Sequence, residues 1–366
     1  MKGTSRGMAG FAFSRALVLL LVLIIGSYLM IAVMNLGGEL DRIVEARVRH
    51  EIALEVARHP EFQNLSPDER QALADELVEL ELKRQGFDRP LVIRNFRHWW
   101  WAVSLDLGTV VTVIGERVEI RTILADRSGP TFLLFGTAIV LVLFISFLVA
   151  RIASRRPGSL LDRLVLRLAP ISALPAWLFG IFLILIFASA LHDTPLALPW
   201  GGMTPPGTQQ GLTPGYVLIV FRHMILPVSA ILLGSIFAAT YSWRTFFVGH
   251  SSDEHVEPAV SSESPGRAVD RSSFLRPTPP GIIKHFLVLA ASVLMASIVV
   301  EILFNWPGLG RLLYQSVMMG DTAVMIGVLV IYGYVLAFLA GMAFLLDYCD
   351  VWESLRRGRV AAQGGE

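Results

Sequence analysis

Glu301-Ile-Leu-Phe-Asn-Trp-Pro-Gly-Leu-Gly-Arg311 sets a carboxylate near the end of an apolar run that begins around Ile282. A Gly/Pro-rich turn follows at once, and another apolar run starts by Ala323. An acid at membrane depth is costly and usually faces protein or water rather than lipid. Backbone broken by glycine and proline persists at that depth only where it is buried or lines a cavity. The stretch therefore reads as an irregular re-entrant segment beside a pathway. Two tasks fit its carboxylate. It could pair with a cationic group on the pathway, or accept backbone hydrogen bonds from the turn and so fix it.

Composition sets the environment. The 366-residue chain is 54% hydrophobic and 17% charged, with a mean hydropathy of +0.59. Soluble domains carry about a quarter charged residues, so the chain reads as an all-α integral membrane protein. A net charge of +1 argues against a nucleic-acid partner, which needs a concentrated basic face. The single cysteine, Cys349, excludes an internal disulfide and a Cys-based metal cluster.

A helix crosses the hydrocarbon core in about twenty apolar residues. Six segments meet that length: 16–36, 131–150, 168–191, 216–241, 282–304 and 323–346. Pro170, Pro175 and Pro227 lie in or near them, where neighbouring helices can satisfy the freed carbonyls. The first segment has a basic flank in Lys2, Arg6 and Arg15, as a signal peptide would. Its apolar stretch is too long for one and no A-x-A site follows Leu36, so it reads as a retained anchor. Arg151, Arg155, Arg156, Arg163 and Arg167 follow the second segment, whereas 192–215 has neither Lys nor Arg. The tail adds Arg356, Arg357 and Arg359. By the positive-inside rule both termini are cytoplasmic.

The expected layout is an N-terminal stub with the first span at 1–36, then an extracytoplasmic helical segment at 37–130. A core of five spans at 131–346 and a tail at 347–366 complete it. In the extracytoplasmic segment Ile43, Ala46, Val48 and Ile52 recur at helical spacing. Ser66-Pro67-Asp68-Glu69 predicts a capped helix start, Leu73, Leu77 and Leu80 an apolar face, and Gly86 its end. The run Trp99-Trp100-Trp101 suits interfacial anchoring better than a ligand platform. Residues 242–280 are rich in Ser, Pro and acids, too poor in apolar surface to offset ordering entropy, and read as a cytoplasmic linker.

No P-loop, HExxH or GxSxG motif is present, and the eight histidines are scattered. Glu301 has no second intramembrane acid for an aspartyl-type protease. The sequence points to no cofactor or metal in this chain. Transport remains, since broken helices and a polar turn suit a gated pathway.

Six segments sharpen that reading. They are Gly86-Phe87-Asp88-Arg89-Pro90-Leu91, Asp106-Leu107-Gly108 and Gly158-Ser159-Leu160-Leu161-Asp162-Arg163, then Leu198-Pro199-Trp200-Gly201-Gly202-Met203, Arg222-His223-Met224-Ile225-Leu226-Pro227 and 301–310 with the later acid Asp321. In this order and spacing they resemble the inner-membrane permease subunits of oligopeptide, dipeptide and nickel ABC importers. Leu105 stands where that family usually has glycine. The resemblance implies the type I importer permease fold in the bacterial inner membrane. It also implies a second homologous permease, two cytoplasmic ATPases that consume ATP, and an extracytoplasmic substrate-binding protein. This chain would itself be no enzyme.

Glu301, Phe304, Trp306, Pro307, Gly308, Gly310 and Asp321 are then expected on the translocation pathway or a periplasmic turn. Arg151, Arg155, Arg156, Asp162 and Arg163 are expected to face an ATPase or another partner. One departure stands out. Where the family carries a helical coupling element, this chain has 249–280, and Pro258 inside a short helix would cost about 3 kcal/mol. Two readings follow: a permease that still imports peptides or similar solutes, or a permease-derived accessory subunit that has lost ATPase coupling.

Overall fold

In hydrocarbon every backbone N–H and C=O must be satisfied within its own segment, so long apolar runs fold as helices. The computed structural model describes residues 2–59, 62, 66–84, 87–111, 117–208, 211, 213–251 and 279–363. It begins with α1 (Lys2–Met34), α2 (Glu39–Arg58), α3 (Pro67–Arg84) and α4 (Leu91–Val103). A small antiparallel ribbon follows, β1 (Thr109–Val111) with β2 (Arg117–Glu119), Thr109 opposite Glu119. Next come α5 (Ile120–Ser154), α6 (Leu160–Leu168) and a 3-10 turn (Ala169–Ala173), then α7 (Ala176–Leu183) running into a π-helical stretch (Ile184–Ala190). The remainder is α8 (Pro214–Ser251), α9 (Pro279–Leu303), α10 (Leu309–Met319) and α11 (Thr322–Gln363).

Among the described residues four helices are long and apolar enough to cross a membrane: Ile120–Ser154, Pro214–Val248, Phe286–Leu303 and Thr322–Leu346. They coincide with the second, fourth, fifth and sixth expected segments. The third differs. Instead of one helix over 168–191, Leu160–Ala173 and Ala176–Ala190 meet at 95°, and counting that pair as one span makes five. The cause lies in the prolines. Leu174 is extended because the ring of Pro175 disfavours helix at the residue before it, and Pro175 then stands at the N-cap of α7. The first expected segment lies in α1, where the apolar stretch Leu20–Met34 is shorter than the other four.

The chain divides into two compact units, one of 1–16, 126–314 and 335–366, the other of 17–125 and 315–334. In the first unit, Leu134, Ala138, Ile231, Val293 and Val300 form a closed apolar core. Helices α7 and α8 approach so closely at Gly234 that a Cβ there would lie 2.8 Å from Ala176 Cα. A smaller aromatic cluster holds the far end of α8, where Trp243 and Phe247 pack with Ala150 and Phe147. The linker expected from residue 242 therefore starts later than read, because α8 stays packed as far as Phe247 and runs to Ser251. Its remaining part, 252–278, lies outside the described residues.

In the second unit, α2 and α3 pack through Val44, Val48, Ile52, Val56 and Val78. The register differs slightly from the expected one: Ala46 and Leu80 are exposed, and Val44 and Val78 take the inner positions. The predicted helix start is present as a reciprocal capping box. The Glu69 amide donates to Ser66 Oγ at 3.3 Å, and the Ser66 amide donates to Glu69 Oε2 at 2.9 Å. Helix α3 ends at Arg84, and Gly86 lies outside the described residues. Losing such a cap weakens the first helical turn. Ser66→Ala is therefore expected to speed amide exchange at the start of α3 by about fivefold, read by hydrogen–deuterium exchange. Leu105 adopts a φ of 57°. That left-handed conformation is one glycine enters without steric cost, whereas leucine adopts it only under strain.

Candidate functional site

The stretch after α9 is a buried turn built around Glu301. Asn305 reverses the chain at a φ of 52°, a region asparagine tolerates better than most residues. The Trp306 amide donates to Glu301 O at 2.9 Å and closes the reversal. Helix α10 then opens with N–H groups that have no partner within the helix. Glu301 Oε2 accepts from the Gly310 amide at 2.6 Å and from the Arg311 amide at 3.3 Å. Thr131 Oγ1 accepts from the Leu309 amide at 2.7 Å. The carboxylate thus sits at the positive end of the α10 dipole, bound by its own chain. Its exposure is 0%.

The glycines are required by this geometry. A Cβ on Gly308 would fall on Glu301 Oε2 and Thr131 Oγ1, and one on Gly310 would lie 2.7 Å from Ile298 Cα. Trp306, also 0% exposed, anchors the turn by donating from Nε1 to Pro130 O in α5 at 2.9 Å. Phe304 is buried beside Gly180 of α7, where a side chain would strike Leu303 and Phe304. The loop 198–203 joins here, with the Gly202 amide donating to Phe304 O at 2.9 Å. Arg222 of α8 steadies the same loop through a 3.0 Å bond from Nη2 to Ala197 O. Segments more than a hundred residues apart in sequence, 178 for Thr131 and Leu309, thus meet at one turn. Pro130 and Thr131 were invisible as its partners, because a backbone carbonyl and a lone hydroxyl leave no pattern in sequence.

Comparison with known proteins agrees with this convergence. The family described as binding-protein-dependent transport system inner membrane component matches residues 142–350, more than half of the chain. The chain belongs to that family. A putative peptide permease protein of Brucella suis is 26% identical to this permease over 250 residues, 68% of this chain and 75% of that one. The glutathione transport system permease GsiC of Shigella flexneri is 28% identical over 249 residues, 67% of this chain and 74% of that one. The oligopeptide transport system permease AppB of Bacillus subtilis is 24% identical over 251 residues, 68% and 76% of the two chains. The protein is therefore an inner-membrane permease subunit of an ABC importer.

The other candidate residues of the permease fall elsewhere. Asp321 belongs to the second unit and caps α11, its Oδ1 accepting from the Val324 amide at 3.1 Å. In the first turn of α6, Asp162 is 2% exposed and enclosed in bonds. Its Oδ1 accepts from Arg244 Nε at 2.7 Å and its Oδ2 from Arg244 Nη2 at 3.1 Å, a two-pronged contact. The Gly158 amide adds a third donor at 2.8 Å, and Ser159 caps α6 by accepting from the Asp162 amide. Arg155, Arg156 and Arg163 are exposed around this fixed point in the sequence, and Arg151 is half-buried. Asp162 thus shapes the turn from within, while the arginines present its charge. Arg244 was missed because the polar linker composition was read from residue 242 onward. Among the described residues no three His, Cys, Asp or Glu side chains gather as a metal site would require.

Proposed function

We propose that this permease forms one half of a translocation pathway for peptides or similar small solutes. Its other half is a second, homologous permease. Two cytoplasmic ATPases hydrolyse ATP for it, and an extracytoplasmic binding protein delivers the substrate. The observation that carries this reading is the similarity to peptide, glutathione and oligopeptide permeases over about two-thirds of the chain. The family match also runs through 242–280, the stretch on which the accessory-subunit reading rested.

In this arrangement the chain has six spans and cytoplasmic termini, α1 supplying the first span and the bent pair the third. Residues 37–130 form the extracytoplasmic segment, 131–346 the permease core, the stretch between Ser251 and Pro279 its cytoplasmic linker and 347–366 the tail. The turn at 301–310 braces the pathway on the extracytoplasmic side, with Glu301, Phe304, Trp306, Pro307, Gly308 and Gly310 as its structural residues and Asp321 further along. Arg155, Arg156 and Arg163, with Arg151 behind them, offer a basic surface to an ATPase. Asp162 acts on that surface through the shape of the turn.

Purification of the native assembly in a mild detergent, with identification of the chains that accompany it, tests the arrangement. The expected companions are a second permease and ATPase subunits. Recovery within an unrelated complex that contains no ATPase would contradict it.

A further inference from the structure

Helix α4 carries its charges inward. Arg94 Nη2 lies 3.2 Å from Asp41 Oδ2 and His98 Nε2 lies 2.8 Å from Asp41 Oδ1. Asn35 Nδ2 donates to Asn95 Oδ1 at 2.7 Å. The Arg97 guanidinium rests over the rings of Phe87 at 5.3 Å and Trp101 at 4.9 Å. His98 is buried here, and burial holds its imidazole below the ordinary histidine range against the opposing pull of Asp41.

The opposite face is apolar and open. Leu91, Val92, Ile93, Phe96 and Trp100 are all exposed, Val92 at 67% and Trp100 at 59%. A water-facing amphipathic helix has the reverse arrangement, its polar side outward. Helix α1 runs beside it, tied by Tyr28 Oη donating to Val92 O at 3.3 Å and by Trp99 Nε1 donating to Ser27 Oγ at 2.8 Å. Val22, Ile25, Leu29 and Val33 of α1 are exposed as well. The two helices therefore present apolar surface side by side. Asp88 and Arg89, just ahead of α4, are exposed and polar, as suits a headgroup boundary.

We propose that α4 lies in the extracytoplasmic membrane interface, its Leu91–Phe96–Trp100 face set among phospholipid acyl chains as a continuation of the lipid-facing surface of α1. The occupant is lipid rather than protein for a chemical reason. A protein interface carries a polar rim with paired donors and acceptors. The outward face of α4 has one polar group, the indole N–H of Trp100, and indoles favour the headgroup level. The inward cluster on Asp41 keeps the helix from rolling its charges outward. The segment 37–130 is thereby pinned to the bilayer rather than suspended above it.

The inference rests on α1 being the first span, and the test separates the two. Single cysteines at Ile25, Phe96, Trp100 and Gln71 are introduced into the full chain with Cys349→Ser and labelled with an environment-sensitive nitrobenzoxadiazole dye. The protein is reconstituted into phosphatidylcholine–phosphatidylglycerol vesicles whose acyl chains are brominated. All four positions are exposed, so no buried side chain is removed. Labels at 25, 96 and 100 are expected to lose about half of their fluorescence, and the label at 71 none. Quenching at 25 without quenching at 96 and 100 overturns the inference and leaves the span intact. No quenching at 25 removes the span, and the inference with it. Quenching at 96 that vanishes on co-assembly with the second permease also overturns it, giving the face a protein partner.

Discussion

Glu301→Ala is expected to lower the yield of folded permease several-fold and to lower its melting temperature in detergent, read by tryptophan fluorescence. The substitution strands the buried Gly310 amide and leaves the Arg311 amide without its carboxylate. Each unsatisfied buried donor costs about 1–3 kcal/mol, so the loss approaches the whole stability of a marginal domain. The carboxylate also offsets the positive end of α10, so its removal adds a dipole cost of about 0.5 kcal/mol. Glu301→Gln keeps an oxygen in the same place and should lose less, since bonds to a neutral acceptor are roughly half as strong. The comparison separates the two tasks read from the sequence. A Gln variant that folds and transports assigns the residue to the turn. One that folds yet fails to transport assigns its charge to the pathway. Wild-type stability of Glu301→Ala would contradict the bracing role altogether.

The second large effect concerns the Asp162–Arg244 pair. Arg244→Ala leaves a buried carboxylate with the Gly158 amide as its remaining charge-stabilising donor. Breaking a buried pair from one side costs about 3–5 kcal/mol, whereas removing both members is often close to neutral. Arg244→Ala should therefore melt well below the wild type, and Asp162→Ala with Arg244→Ala should recover much of the difference. Asp162→Ala alone should fall between, because Arg244 is partly exposed and can turn its guanidinium to water. A double-mutant cycle in the purified permease measures this coupling directly. Additive losses with no recovery would show that the pair is incidental to the turn.

What was legible in the sequence follows from local chemistry. The capping box at Ser66 and Glu69, the glycines at 308 and 310, and four long apolar helices each leave a pattern within a few residues of themselves. The break within the third expected segment was less legible, because hydropathy averages over Pro170 and Pro175 and does not register a 95° bend. Their spacing was the available signal, since proline stops helix at the residue before it. The inner stripe of α2 was misread at Ala46, two positions from the buried Val44 and Val48, because alanine and valine alternate there and only packing against Val78 selects the valines. Arg244 was hidden for another reason. Its neighbours downstream are polar, and composition there outweighed Trp243 and Phe247, which hold the helix in place. Thr131 and Pro130 are long-range partners, and such pairings are set by the fold rather than by sequence neighbours.

The inward-facing charges of α4 teach the same lesson from the other side. Its sequence alternates aromatic and basic residues, which alone allows either face to meet water. Asp41 and Asn35, more than fifty residues earlier, decide the matter by taking the polar side.

The most direct test of the central claim is ATP-driven peptide uptake in proteoliposomes. The vesicles would hold this chain with its companion permease and ATPases, with the binding protein and a labelled oligopeptide outside. Uptake should require both ATP and this chain, and should fall to background when the chain is left out. Uptake that continues at full rate without this chain would contradict its role as half of the pathway.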